Sequence, residues 1–280
     1  KMFLIKIPNF CVKEQRYIID TLVREFLGLN YLVEIHNKCV IEITRPTSLA
    51  KVSIEKLTLE STFFFKAEQD WLKPASMPVL PLKIWSPEDD GIQANLVTPS
   101  VPILYGSPGM SKRAQNIHLN LDIFGSAFFM LSRYEELVTK ERDLHERFPG
   151  SASIAYKANF LDRPIVNEYL EILWECLFNL WPDLKRKEYK PYNFITCDVD
   201  WPFTPKIFSL NMAIKKAAHY IIYQKKYVAA LNTIIRYIGE KVGLDLKDSN
   251  REAISWIMEV NEKVGNQVAF YFIPHNTSPQ

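Results

Sequence analysis

Asn193–Cys197 is a short apolar run that passes straight into Asp198-Val199-Asp200. Two acids directly after a buried strand are costly without a partner, so the arrangement narrows what the chain can be. Side chains alternate along a strand with a period of two, so Asp198 and Asp200 leave on the same face. In a parallel α/β architecture, the C-terminal end of a strand is where ligands bind. Neighbouring carboxylates repel, which raises the pKa of one unless a cation sits between them. A divalent metal meets that need; the plainer alternative is an acidic turn capping the next helix. Downstream, helical stretches lead to a second apolar strand, Val268–Ile273. Strand, helix, helix, strand is the opening of an α/β unit with a parallel sheet.

The rest of the pattern supports two domains, as does a length of 280 residues. Met2–Ile7 reads as a strand and Lys13–Leu27 as a helix, with Ile18, Leu22 and Phe26 at helical spacing. Tyr31–Ile35 and Cys39–Ile43 read as strands joined by a hairpin turn at Asn37–Lys38. Residues 60–110 are Pro-rich and read as irregular, apart from a short strand at Val101–Tyr105. Leu121–Val138 is apolar almost all round, which predicts one buried helix. Ile165–Trp181 predicts a second, with Pro164 in its first turn. A charged, proline-bounded stretch, Asp183–Pro191, places the boundary between domains 1–185 and 186–280. Beyond it, Lys206–Val242 reads as a long helical region and Ser249–Val264 as another helix.

Composition excludes some classes. Hydrophobic residues make up 48% of the chain, enough for a sizeable core, and a net charge of +2 gives no footprint for nucleic acid. Cys11, Cys39, Cys176 and Cys197 form no Cys-x-x-Cys pair, and scattered thiols fit a reducing compartment. No apolar run reaches the roughly 18 residues that span a bilayer. Met2–Ile7 contains Lys6 and lacks a small-residue cleavage site, so it is not a signal peptide. The expected location is cytoplasmic, with peripheral membrane contact as an extension considered below.

Asp-x-Asp after an apolar strand occurs in haloacid-dehalogenase-type phosphatases, in glycosyltransferases and in polysaccharide deacetylases. The phosphatases continue with Gly-Thr, where this chain has Trp201-Pro202. Thr196-Cys197-Asp198-Val199-Asp200-Trp201-Pro202 resembles the first motif of the polysaccharide deacetylase (NodB-like) family, and Ala269-Phe270-Tyr271-Phe272-Ile273-Pro274 resembles its second strand. Leu121–Glu136 and Arg163–Leu170 resemble an uncharacterised domain that precedes such deacetylases in bacterial surface-polysaccharide clusters. The resemblance implies an N-terminal α/β domain followed by the start of a (β/α) barrel. It implies that Asp198 is a general base toward a metal-bound water and that Asp200 is a metal ligand. The implied metal is zinc, with cobalt or nickel as alternatives, and the implied substrate is an acetylated glycan or glycan precursor.

The chain departs from that pattern at one point. The family's metal also needs two histidines one helical turn apart. His36, His118, His145, His219 and His275 include no pair three or four apart. Residues 186–280 are also fewer than the roughly 200 of a full barrel. The expectation is a fragment of a longer protein, inactive by itself, with a vestigial domain or a non-catalytic interaction module as alternatives. Trp201 and His275 are candidate substrate contacts at the same rim, while Trp256 is expected in the core. Asp143, His145 and Arg147 form a possible polar site or a solvated loop, and Arg133, Glu135 and Glu136 a structural ion-pair set. Pro205–Gly239 holds Lys206, Lys215, Lys216, Lys225, Lys226 and Arg236 and no acidic residue. A basic amphipathic helix over 206–241 is either packed on its own domain or laid on an anionic membrane.

Overall fold

Alternation decides the first strand. In β1 (Met2–Pro8), Phe3, Ile5 and Ile7 are buried while Leu4 and Lys6 face outward. The computed structural model describes residues 2–46, 55–203, 207, 209–244 and 248–272. It divides into two units, Lys1–Glu188 and Tyr189–Gln280. The architecture is mixed α/β, and among the described residues no sheet closes on itself. No described helix is long and apolar enough to cross a membrane.

In the first unit, β1 leads to α1 (Val12–Ile19), whose turns widen to i→i+5 bonding through Asp20–Phe26. Then come β2 (Asn30–His36), β3 (Val40–Thr44), β4 (Lys56–Glu60), α2 (Thr62–Asp70), β5 (Lys83–Trp85) and β6 (Val101–Ile103). β7 (Gly106–Arg113), β8 (Asn116–Leu121), α3 (Ile123–Leu131), α4 (Tyr134–Val138), α5 (Ile154–Lys157) and α6 (Ile165–Leu180) complete it. Six strands form one sheet in the order β2-β1-β3-β4-β8-β7, and β5 pairs with β6 separately. β1 runs parallel to β2 and β4 to β8, while the remaining neighbours are antiparallel. One face buries Ile5, Ile43, Leu57, Leu59 and Leu119 in a single core with Ile18 and Leu22 of the first helical segment, Phe124 of α3 and Leu173 of α6. The opposite face is polar: Lys6 pairs with Glu34 at 3.4 Å, Lys56 with Glu42 at 3.3 Å and His118 with Glu60 at 3.0 Å.

Three sequence expectations change here. β2 and β3 do not form a hairpin, because β1 lies between them and pairs with both. An apolar strand needs partners on both edges, and β1 takes the central place that local turn chemistry would have given to a direct β2–β3 pairing. The single helix over Leu121–Val138 is instead the end of β8 followed by α3 and α4, with the chain broken at Arg133, whose φ is 54°. The region read as irregular contains α2, β5 and the start of β7; α2 was hidden in the Phe63-Phe64-Phe65 run, of which Phe63 and Phe64 are buried.

Asp122 organises this helical layer. Its Oδ1 accepts from Gly125 N at 2.8 Å and its Oδ2 from Phe63 N at 2.8 Å, so one carboxylate caps both α3 and α2. The two helix starts approach so closely that a Cβ on Gly125 would lie 2.4 Å from Asp122 Oδ2 and 2.5 Å from Phe63 Cβ. Gly125→Ala is therefore expected to destabilise the unit by about 1–3 kcal/mol through overpacking. A lower denaturant midpoint at unchanged m-value is the readout; an unchanged midpoint would mean that the layers part without cost.

In the second unit, β9 (Phe194–Val199) is followed by α7 (Leu210–Ile222), α8 (Tyr227–Lys241), α9 (Ser249–Lys263) and β10 (Gln267–Phe272). β9 and β10 are parallel neighbours. The long helix expected over Lys206–Val242 is two helices packed on each other, parted at Tyr223–Lys226, where Lys225 has φ 53°; Lys206 lies outside the described residues. This unit buries little of its apolar content. Among the described residues, the main hydrophobic core ends at Trp181, the second unit buries Val199, Ile207, Ala213, Ala217 and Ala230, and α9 has no buried residue. Trp256, expected in the core, is exposed on α9, whose half-buried stripe runs instead through Ile254, Ile257 and Asn261.

Candidate functional site

Strand alternation sets out the acidic site of the second unit. Val199 is buried, and Asp198 and Asp200 on either side of it are both exposed. Asp198 stands in register with Tyr271 of β10, and Val199 with Phe272, so Tyr271 shares the exposed face of Asp198. The chain leaves β9 through Trp201, which is also exposed and whose backbone oxygen accepts from Asn250 Nδ2 at 2.9 Å. Asp248 caps α9, with Oδ1 accepting from Asn250 N at 3.0 Å and Arg251 N at 3.2 Å. The start of α9 is thus tied to the rim that carries the two acids. Asn250 and Tyr271 are contributions that the sequence reading missed. The capping pattern Asp248-Ser249-Asn250 was the available signal for the first; the second follows only from register.

The two acids lie in water rather than in a dry pocket, so the desolvation cost that pointed to a cation is not incurred here. Among the described residues there is no group of three or more His, Cys, Asp or Glu that could hold a metal. A protein-held zinc takes three or four protein donors. Asp198 and Asp200 supply two, so the described residues alone do not fit a divalent metal. His275 lies outside the described residues.

The first-unit candidates resolve into structure. Asp143 Oδ1 accepts from His145 N at 2.8 Å and Arg147 N at 3.0 Å, which makes Asp143–Arg147 a self-bonded exposed turn. Arg133 grips Glu136 with Nε at 2.5 Å and Nη2 at 2.6 Å, as the ion-pair reading expects. Glu135 does something else: its Oε2 accepts from Ile154 N at 2.7 Å at the start of α5, and burial raises its pKa. Arg163 and Glu168, inside the second resembling stretch, form a buried bidentate pair with Nη2–Oε1 at 2.6 Å and Nε–Oε2 at 3.0 Å. Burial holds the thiols of Cys11 and Cys176 up to about 12, which removes both as nucleophiles at neutral pH.

Clefts open on this unit among the described residues. One of about 320 Å³ lies between Glu88 and Pro99, and one of about 220 Å³ is lined by Lys66, Lys83, Tyr105 and Gly106 among others. Neither lining holds a histidine, a cysteine or a pair of carboxylates, so neither offers acid–base or thiol chemistry of its own.

Residues 3–182 match a family of unknown function (DUF7033). No curated protein and no solved structure matches the chain. The matched residues lie within the first unit; Asp122, Arg163 and Glu168 fall inside the match, and Asp198 and Asp200 fall outside it. Because that match spans more than half of the sequence, the chain belongs to the DUF7033 family of unknown function.

Proposed function

We propose that the second unit supplies the acid–base carboxylate of a hydrolase that removes acetyl groups from a glycan or glycan precursor in bacterial surface-polysaccharide metabolism. In this reading β9 and β10 are the first two strands of a (β/α) deacetylase-type barrel. The observation that carries it is the pair Asp198 and Asp200, both exposed, the first in and the second just past the C-terminal end of a strand with a parallel neighbour. The resemblance of Thr196–Pro202 to the deacetylase first motif adds to it. Asp198 takes a proton from a water that attacks the acetyl carbonyl and gives it back to the sugar nitrogen or oxygen as the bond from the carbonyl carbon breaks, releasing acetate and the free amine or hydroxyl. Asp200 is the ligand that this chain would contribute to a divalent metal, and Trp201 a face for a sugar ring. The described residues carry the proton transfer but not a metal-assisted step, since they add no third donor. The proposed location is the cytoplasm.

Acetate release from acetylated glucosamine oligomers by the full-length protein, with zinc, cobalt or nickel present, is the assay. Asp198→Ala is expected to lower turnover at least about a hundredfold, the contribution of a positioned general base. An Asp198→Ala protein of undiminished activity would overturn the assignment. A second reading, a non-catalytic interaction module, is favoured by the lack of a third metal donor among the described residues. It expects no acetate release under any of the three metals, and so does not survive metal-dependent turnover.

A further inference from the structure

α7 and α8 pack on each other through small residues. Ala213 and Ala217 of α7 and Ala230, Thr233 and Gly239 of α8 are the buried positions. Small residues let two helices close without using their large side chains, and the large side chains are left outside. On α8 and its C-terminal cap, Leu231, Ile235, Ile238 and Val242 recur at i, i+4, i+7 and i+11, and all four are exposed. That spacing is one face of a helix. On α7, Leu210, Ile214 and Ile221 are exposed at i, i+4 and i+11, beside the buried Ala217 at i+7. At the turn between the helices Ile222, Tyr223, Tyr227 and Val228 stand in solvent, Tyr223 at 77% and Val228 at 73% exposure.

As far as Gly239 the charge on this hairpin has one sign, and Glu240 is its acid. From Ile207 to Gly239 the cations are Lys215, Lys216, Lys225, Lys226 and Arg236, and there is no acidic residue. Arg236 pairs with Glu240 at 3.0 Å. The four lysines are all exposed, and none forms an ion pair with a carboxylate among the described residues. Lys225 and Lys226 sit at the turn, between the two exposed tyrosines. Lys215 and Lys216 border an open cleft of about 500 Å³ near the start of α7, together with Ser209, Asn211 and Met212.

We propose that the α7–α8 hairpin is a docking surface for an anionic lipid bilayer. Exposed aliphatics enter the acyl boundary, tyrosines take the headgroup level where amphipathic rings are favoured, and the lysines meet lipid phosphates and carboxylates while their stems lie along the apolar region. Charge decides between a membrane and a protein partner. α6, which packs on protein, buries its aliphatics and places Glu168 against Arg163. The hairpin instead keeps both its aliphatics and four lysines in water, with no carboxylate partner for those lysines among the described residues, and a sheet of negative charge with an apolar interior satisfies both at once.

The test is co-sedimentation of the full chain with vesicles of phosphatidylcholine alone or with phosphatidylserine added, with far-UV circular dichroism as the folding control. Binding should require phosphatidylserine and weaken as salt rises, because surface charge is screened within a Debye length. Each lysine at such a surface contributes on the order of fivefold in affinity. Replacing Lys215, Lys216, Lys225 and Lys226 together by Gln should therefore weaken binding by well over about tenfold without changing the dichroism. A separate variant, Ile222→Gln with Val228→Gln, should weaken binding while leaving its salt dependence in place. Absence of binding, equal binding to phosphatidylcholine alone, or indifference to both variants would overturn the proposal. So would self-association in light scattering that Leu231→Asp abolishes, since the face would then be covered by a second copy.

Discussion

Glu168→Ala is expected to cost the first unit about 3–5 kcal/mol, the usual penalty for breaking a buried ion pair from one side. Glu168 is 2% exposed. Its Oε1 accepts from Val97 N at 2.9 Å as well as from Arg163, and Arg163 Nη2 also donates to Ser100 O at 2.9 Å. Truncation leaves the guanidinium without its counter-charge and a backbone N–H without an acceptor. The attraction within the intact pair is offset by desolvation, so the cost comes from the partners left behind. Glu168→Gln, which keeps one acceptor, should lose less. The double variant Arg163→Met with Glu168→Leu should recover much of the loss, because it leaves no charge buried. Urea unfolding measures all three, and hydrogen exchange at Val97 should accelerate in the alanine variant. A loss below about 1 kcal/mol in that variant would mean that water replaces the carboxylate freely.

Asp122 should give a pH-dependent stability that its asparagine variant lacks. Burial pushes its pKa up from 3.8 to about 7, with Glu60 adding to the rise, against the pull of the N–H groups of Phe63, Gly125 and Thr62. The folded state therefore holds this proton more tightly than the unfolded chain does. Stability from this group is fully present below pH about 4, falls as pH rises toward 7, and then levels off. The slope approaches about 1.4 kcal/mol per pH unit in that window. Asp122→Asn should flatten the slope between pH 4 and 7 relative to the parent chain. It should also lower stability at every pH by about 1–3 kcal/mol, since an amide can accept from one helix start but not from both. Urea midpoints across that range measure both effects. Parallel curves for the two proteins would show that the capping N–H groups keep Asp122 ionised in the folded state.

The second resembling stretch and the first, Arg163–Leu170 and Leu121–Glu136, are explained by these two centres. Asp122, Gly125, Arg133 and Glu135 hold helix starts and a left-handed break, and Arg163 with Glu168 pins the Val97–Ser100 segment. Residues of both stretches are joints of the fold. The acidic pair was legible because it depends only on strand period and on its place after an apolar run. Its setting was not, since exposure depends on what covers β9, and the second unit assembles little around it.

What the sequence by itself determined is local. β1, α6, α9, β9 and β10 follow from period-two and period-3.6 patterns carried within each segment, and the order strand–helices–strand follows from their succession. Tertiary structure alone decided that β1 separates β2 from β3, since strand order is a matter of non-local pairing that no turn signal encodes. It decided the break at Arg133, because a segment apolar on every side has no periodic contrast to mark where one helix stops. It decided that small residues close the α7–α8 hairpin and leave the aliphatic stripes outside. The helical pattern shows that a face is apolar; which neighbour covers it is settled by packing.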